Sequence, residues 1–167
     1  ALVKKQVNAL VANGNTNIHQ GVMWGWRVLS PTAPFTEGRS PTVEKPLKRI
    51  MIVMTDGENT YSTSSTMNKS SYAAYGYVAK GRLGTTNTSK VKTKQDERTA
   101  LACTNAKSQG NITVYTIAFK VTAQATINLL RNCATGSSYA YKADDNSQLL
   151  AVFQQISKEI TQLRVAR

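Results

Sequence analysis

At 167 residues and 41% hydrophobic content, the chain suits a single domain with a real buried core. Its longest apolar run, Ile50-Met51-Ile52-Val53-Met54, is far too short to cross a bilayer, and no charged-then-apolar leader is visible, so any membrane anchor is expected to lie outside these residues. The 21 Lys and Arg against 9 Asp and Glu leave a net charge of +12, which attracts polyanions. Its densest stretch (Lys80, Arg82, Lys90, Lys92, Lys94, Arg98) lacks interleaved aromatics and contains Asp96 and Glu97, which argues against a specific nucleic-acid surface and for a solvated face.

Residues 1–12 read as an amphipathic helix with Val3, Val7, Leu10 and Val11 on one face, ended by Asn13-Gly14-Asn15. A second helix opens at Thr16 or Asn17, carries Ile18, Val22, Trp26 and Leu29 at helical spacing, and is ended by Pro31 and Pro34. Gly21 and Gly25 lie on a neighbouring face, where they permit close approach to a sheet. Trp24 and Trp26 cannot face the same way, so one belongs to the core and the other to its margin. Residues 31–47 form a Pro/Thr-rich surface connection.

Arg49 to Met54 is the clearest strand, a continuous apolar run of the kind found in parallel strands covered on both faces. It stops at Thr55-Asp56-Gly57-Glu58-Asn59. Residues 58–94, rich in Ser, Thr, Gly, Lys and Tyr, hold no period for long, although 72–79 has the makings of a short helix. A stretch of this length inside a compact domain is functional or disordered. A helix over 95–108 with Gly110 as its stop, a strand over 112–119, a short helix over 123–131 and a strand over 138–141 follow. Asp144-Asp145-Asn146-Ser147 then caps a long helix whose apolar face is Leu149, Phe153, Ile156, Ile160 and Leu163. Alternating strands and helices imply an α/β fold with a mainly parallel sheet between helical layers. Cys103 sits in one of these helices and Cys133 just past another; the intervening strand can bring them together, so a disulfide and an oxidising compartment are expected. The other reading is two unrelated core thiols. A metal site at the cysteines is not expected, because no CxxC accompanies them.

In open α/β sheets ligands sit beyond the carboxyl ends of the strands, where Asp56 stands and the long irregular segment departs. A carboxylate there is a hard-metal ligand, a phosphoryl-accepting nucleophile or a turn cap, and Gly57 beside it allows a sharp turn. Glu58 is close enough to act from an outer shell. His19, the only histidine, reads as a partly exposed helix residue rather than a ligand. Tyr61, Tyr72, Tyr75 and Tyr77, set among Ser and Lys, have the polar-aromatic composition of recognition loops, a composition that surface filler shares.

Gly14-Asn15-Thr16-Asn17-Ile18, opening a helix, and the later Met51-Ile52-Val53-Met54-Thr55-Asp56-Gly57-Glu58-Asn59 resemble the second and third motifs of von Willebrand factor A-type domains. The resemblance implies that Thr16 and Asp56 help hold a divalent cation, Mg²⁺ or else Mn²⁺ or Ca²⁺, with Asn15 and Glu58 in its outer shell. A narrower likeness, to TadG-like Tad-pilus assembly proteins, runs through Gly21-Val22-Met23-Trp24-Gly25-Trp26-Arg27-Val28-Leu29-Ser30-Pro31, Val114 to Phe119, Leu130-Arg131-Asn132-Cys133-Ala134 and Ile160 to Arg167. It implies a Rossmann-like three-layer domain in the bacterial envelope, outside the cytoplasm, anchored by an upstream helix and contacting other pilus or envelope proteins through a metal-bound carboxylate. The family's first motif, Asp-x-Ser-x-Ser after the central strand, is absent from these residues. The chain is therefore expected to be a partial domain over 1–167 that binds metal weakly or not at all by itself, and Ile50 to Met54 is expected to be an exposed apolar edge.

Two other functions compete with this non-enzymatic binding module. A Mg²⁺-dependent phosphohydrolase or phosphotransfer fold would use Asp56, but Met54 stands where the Asp-x-Asp-Gly pattern of haloacid-dehalogenase-like phosphatases has its nucleophile. A polyanion-binding module would use the basic surface on anionic envelope polymers, with affinity falling steeply as salt rises.

Overall fold

A computed structural model describes residues 2–11, 13–39, 48–109 and 111–165. Three strands, β1 (Arg49–Thr55), β2 (Ile112–Phe119) and β3 (Ala140–Ala143), make one sheet in the order β1-β2-β3, parallel throughout. The helices are α1 (Leu2–Asn8), α2 (Ile18–Leu29), α3 (Val91–Ser108), α4 (Gln124–Cys133) and α5 (Asn146–Val165). The expected α/β architecture of a parallel sheet between helices is present. Strand and helix ends differ from the sequence reading by a few residues, most at α3, which starts at Val91 rather than 95.

The period-2 geometry of β2 sorts its side chains between two cores. Ile112, Val114 and Ala118 pack with Ile18 and Val22 of α2, Met51 and Val53 of β1, and Ala102, Cys103, Ala106 and Leu130 of α3 and α4. Tyr115 and Ile117 point the other way, against Val152 and Ile156 of α5. A polar anchor reinforces this second layer: Glu159 accepts hydrogen bonds from the Tyr115 hydroxyl (3.1 Å) and the Tyr141 hydroxyl (3.0 Å). Burial and the adjacent carboxylate push the Tyr141 phenol up to about 12, so it stays a proton donor.

Several expectations need correction. The run over β1 is not covered on both faces: Met51 and Val53 are buried, whereas Ile52 is 39% and Met54 50% exposed. Ile52 and Met54 lie beside Tyr115 and Ile117 in the register, and β1 is the edge of the described sheet. The exposed apolar edge is thus present, and the continuous run serves one covered face. The first helix is shorter than 1–12, and its apolar residues Val3, Val7, Leu10 and Val11 are all exposed. Gly25 lets α2 approach the sheet, since a Cβ there would stand 2.6 Å from Met51 Sδ, whereas Gly21 faces open space. Trp26 packs on the core, and the exposed Trp24 meets Phe35 edge-on with Arg27 over its ring. On α5, Val152 rather than Phe153 is buried, because it is Val152 that packs with Tyr115, Ile117 and Ile156 in the second core, while Phe153 is 40% exposed. No helix forms over 72–79; a 3₁₀ turn at Val78–Lys80 stands there. Gly110, residues 40–47 of the surface connection, Arg167 at the chain end and the Leu163 side chain lie outside the described residues.

Cys103 of α3 and Cys133 at the end of α4 form the disulfide, buried in the main core and closing a sequence separation of 30 residues. Replacing both by Ala is expected to lower unfolding stability by about 3–4 kcal/mol, from the lost constraint on the unfolded chain. Urea unfolding of the oxidised protein and the double variant checks this, and equal midpoints would contradict it.

Candidate functional site

The site is built at the carboxyl end of β1. Thr55, buried, folds back on its own turn: its hydroxyl donates to the Gly57 carbonyl at 2.9 Å and accepts from the Gly57 amide at 3.3 Å. The turn leaves Asp56 exposed above the sheet. Gly57 also faces the loop before α2, since a Cβ built on it would lie 3.9 Å from the Thr16 hydroxyl oxygen. The loop that carries Thr16 thus lies against the turn that carries Asp56, the two residues expected from the motifs as ligands, with Gly57 as the point of approach. Among the described residues neither the Thr16 hydroxyl nor the Asp56 carboxylate is engaged in a hydrogen bond or ion pair.

The two loops are joined by a short polar zipper. Thr60 donates its amide to the Thr16 carbonyl at 2.9 Å, and the Thr16 amide donates to the Thr60 hydroxyl at 2.8 Å. Asn15 and Ser62 bond through their side chains at 3.1 Å. Asn59, 1% exposed, accepts from the Ile18 amide at 2.8 Å and donates to Asp96 at 2.8 Å and to Thr99 at 3.3 Å. Glu58, expected to act from an outer shell, pairs with Lys92 at 3.0 Å, and Lys92 also reaches Asp96 at 3.2 Å. An open cleft of about 460 Å³ lies here, with Asp56, Gly57, Glu58 and Lys92 on one side and Lys120 and Val121 from the end of β2 on another. Among the described residues no three His, Cys, Asp or Glu side chains converge as a metal cluster. The cleft offers the Asp56 and Glu58 carboxylates, oxygen donors of the type a hard cation takes, with Lys92 and Lys120 beside them, while the Thr16 hydroxyl lies next to Gly57.

The segment after the site is ordered around a small core of its own. Tyr75, Val78, Leu83 and Val91 are buried together, and Tyr61 packs against them with its hydroxyl donating to the Gly76 carbonyl. Glycine is needed at Gly76, Gly81 and Gly84, whose positive φ lets the chain reverse within few residues. Of the four tyrosines singled out as a recognition loop, Tyr75 and Tyr61 therefore face inward. Tyr72 is 71% exposed and meets the partly exposed Tyr77 edge-on. Asn59 was not singled out in the sequence, where nothing separates it from other loop asparagines; its burial comes only from packing on α3.

His19 couples this segment to α2. Its Nδ1 is hydrogen-bonded to the Tyr75 hydroxyl oxygen, the Tyr75 hydroxyl donates to Asn17 at 3.3 Å, and the Arg98 guanidinium lies 5.5 Å over the Tyr75 ring. Burial lowers the imidazole below its ordinary value, and the Arg98 and Arg27 charges lower it further. His19 is a partly exposed helix residue in contact with Tyr75.

In architecture the chain is similar to the pilus adhesin SpaC from Lactobacillus rhamnosus GG. Against one crystal form of that protein the TM-score is 0.61 at 14% identity, over 96% of this chain and 21% of that one. Against its open conformation the TM-score is 0.58 at 15% identity, over 91% and 20%. The chain spans about a fifth of the length of those structures, and at such identity the likeness concerns the fold. No model of a known protein family and no curated protein matches the sequence.

Because the folded protein binds a proton at His19 less readily than the unfolded chain, stability is full above the ordinary histidine value of 6.5 and falls as pH drops through the lowered folded value. Urea midpoints at about pH 7.5 and about pH 5, for the wild type and His19→Gln, check the sign. The variant should lose part of the acid-side fall, and an unchanged profile would contradict the assignment.

Proposed function

We propose that these residues form the C-terminal part of a von Willebrand factor A-type binding module in a TadG-like pilus assembly protein, engaging its partner through a divalent cation held by Thr16 and Asp56. The observation that carries this reading is that the Thr16 loop and the turn holding Asp56 are bonded together through Thr60 at the carboxyl edge of a parallel sheet, with the Thr16 hydroxyl facing Gly57 and both the hydroxyl and the Asp56 carboxylate unengaged among the described residues. If Asp56 served only to cap its turn, its carboxylate would accept from a neighbouring amide, and it does not.

Bound Mg²⁺, or Mn²⁺ or Ca²⁺ in its place, would supply a positive centre with open positions for a partner's carboxylate. Thr16 and Asp56 supply only part of a coordination shell. The remaining oxygen donors would come from a first-motif strand beside β1, and the uncovered Ile52 and Met54 are consistent with such a neighbour. Affinity in these 167 residues alone is correspondingly weak or nil. The fold likeness to a pilus adhesin accords with a role among pilus or envelope proteins, on the periplasmic or extracellular side, where the disulfide is stable. Among the described residues no helix is long and apolar enough to cross a membrane, and the anchor this reading calls for would belong to an upstream segment. Tyr72 and Tyr77, the outward pair of the 58–94 insertion, would contribute to partner choice. The basic surface would add attraction for anionic envelope polymers. Binding of this kind requires no nucleophile or general base.

Calorimetry with Mn²⁺ or Mg²⁺ tests the proposal on three proteins: these residues, a version extended through the first motif, and its Asp56→Ala variant. Saturable binding by the extended protein, reduced at least about tenfold by Asp56→Ala, is expected. Equal binding with and without Asp56 would overturn the site, and turnover of a phosphate ester with Mg²⁺ would favour the hydrolase alternative.

A further inference from the structure

Resting on the reading of Thr16 and Asp56 as cation ligands, we infer that Asn59 is a positioning residue that, beside the direct Thr60–Thr16 bonds, holds the start of α2 and the loop before it against the turn that carries Asp56. It touches neither the cation position nor a partner; it acts through the backbone of the Thr16 loop.

Three features carry this. Asn59 lies three residues after Asp56 and, at 1% exposure, has no access to water with which to satisfy its amide. Its Oδ1 accepts from the Ile18 amide, one of the free donors of the first turn of α2, at 2.8 Å. That contact sets the amide's orientation chemically, because a backbone N–H can only donate. Its Nδ2 then gives both hydrogens to α3: one to Asp96 Oδ1 at 2.8 Å, the other to Thr99 Oγ1 at 3.3 Å, whose own hydroxyl proton goes to the Gln95 carbonyl at 2.8 Å. One side chain therefore pins the start of α2, the turn after β1 and the body of α3 to each other. Asn17 caps the same helix through the Gln20 amide at 3.1 Å, so α2 keeps a cap of its own if Asn59 is lost. The contribution particular to Asn59 is the placement of the loop that carries Thr16, rather than the existence of the helix.

Asparagine is the residue this junction needs. Aspartate would keep the acceptor for Ile18 but lose both donors and set a second carboxylate against Asp96. Exchanging the pair as N59D/D96N restores a donor and an acceptor across the same gap at unchanged net charge.

The experiment has two readouts: hydrogen exchange of the Ile18 amide in the 167-residue chain, and Mn²⁺-induced paramagnetic broadening of the Thr16 and Gly57 amides in NMR spectra of the version extended through the first motif. In the wild type, Thr16 and Gly57 should broaden together as Mn²⁺ is added. In Asn59→Ala, Ile18 should exchange about tenfold faster, and about threefold more Mn²⁺ should be needed to broaden Thr16 and Gly57 to the same extent. The N59D variant should behave like Asn59→Ala or worse, and N59D/D96N should recover both readouts, which serves as the decisive comparison if Asn59→Ala does not fold. Unchanged Ile18 exchange, or a double variant no better than N59D, overturns the role of Asn59. Absence of Mn²⁺ broadening at both amides in the unsubstituted extended version would overturn the cation reading instead, with the exchange comparison still deciding whether Asn59 sets the loop.

Discussion

Parallel pairing of β1 with β2 is the constraint from which the remaining structure follows. Two parallel neighbours cannot be joined by a hairpin, so the chain must leave the top of β1 and return to the bottom of β2. Here residues 56–111 make that journey, with α3 as the returning element. The departure occurs at the carboxyl edge, so the turn holding Asp56, the 58–94 insertion and the start of α3 are stacked on the end of the sheet where ligands of such folds collect. The same crossover places Cys103 on the helix that packs beside α4, within bonding distance of Cys133.

The insertion is less an appendage than its composition implies. Its small core of Tyr75, Val78, Leu83 and Val91 gives it internal order, and its root is bonded to the loop before α2 and to α3. Charges follow the same economy. Lys92 is held by Glu58 and Asp96, and Arg98 lies over Tyr75, so part of the basic stretch is structural rather than free for a polyanion. Asp56 stands apart from these networks, which is what distinguishes it from the other carboxylates around the cleft.

How much was legible in the sequence varied with the range of the interaction involved. Helix α2 could be placed within a residue or two, because Asn17, the Ile18–Val22–Trp26 spacing and the prolines are local signals. The insertion was opaque, because its order comes from tyrosines and glycines that have no period, and an inward Tyr75 has the same sequence signature as an outward Tyr72. Phe153 and Val152 were exchanged on α5 for a similar reason: both fit an apolar stripe, and the side that meets Tyr115 depends on how the helix is set down.

By itself the sequence determined the α/β alternation and the strand that ends at Asp56, since these rest on periodicity, capping and turn chemistry acting over a few residues, whereas the pairing of Cys103 with Cys133 was settled by the packing of α3 beside α4. Only the tertiary structure decided that Thr16 lies beside Gly57, that Asn59 is buried between α2 and α3, and that Ile52 and Met54 remain uncovered. Those facts depend on which distant segments meet and which edge lacks a neighbour, and no local pattern of residue types encodes either.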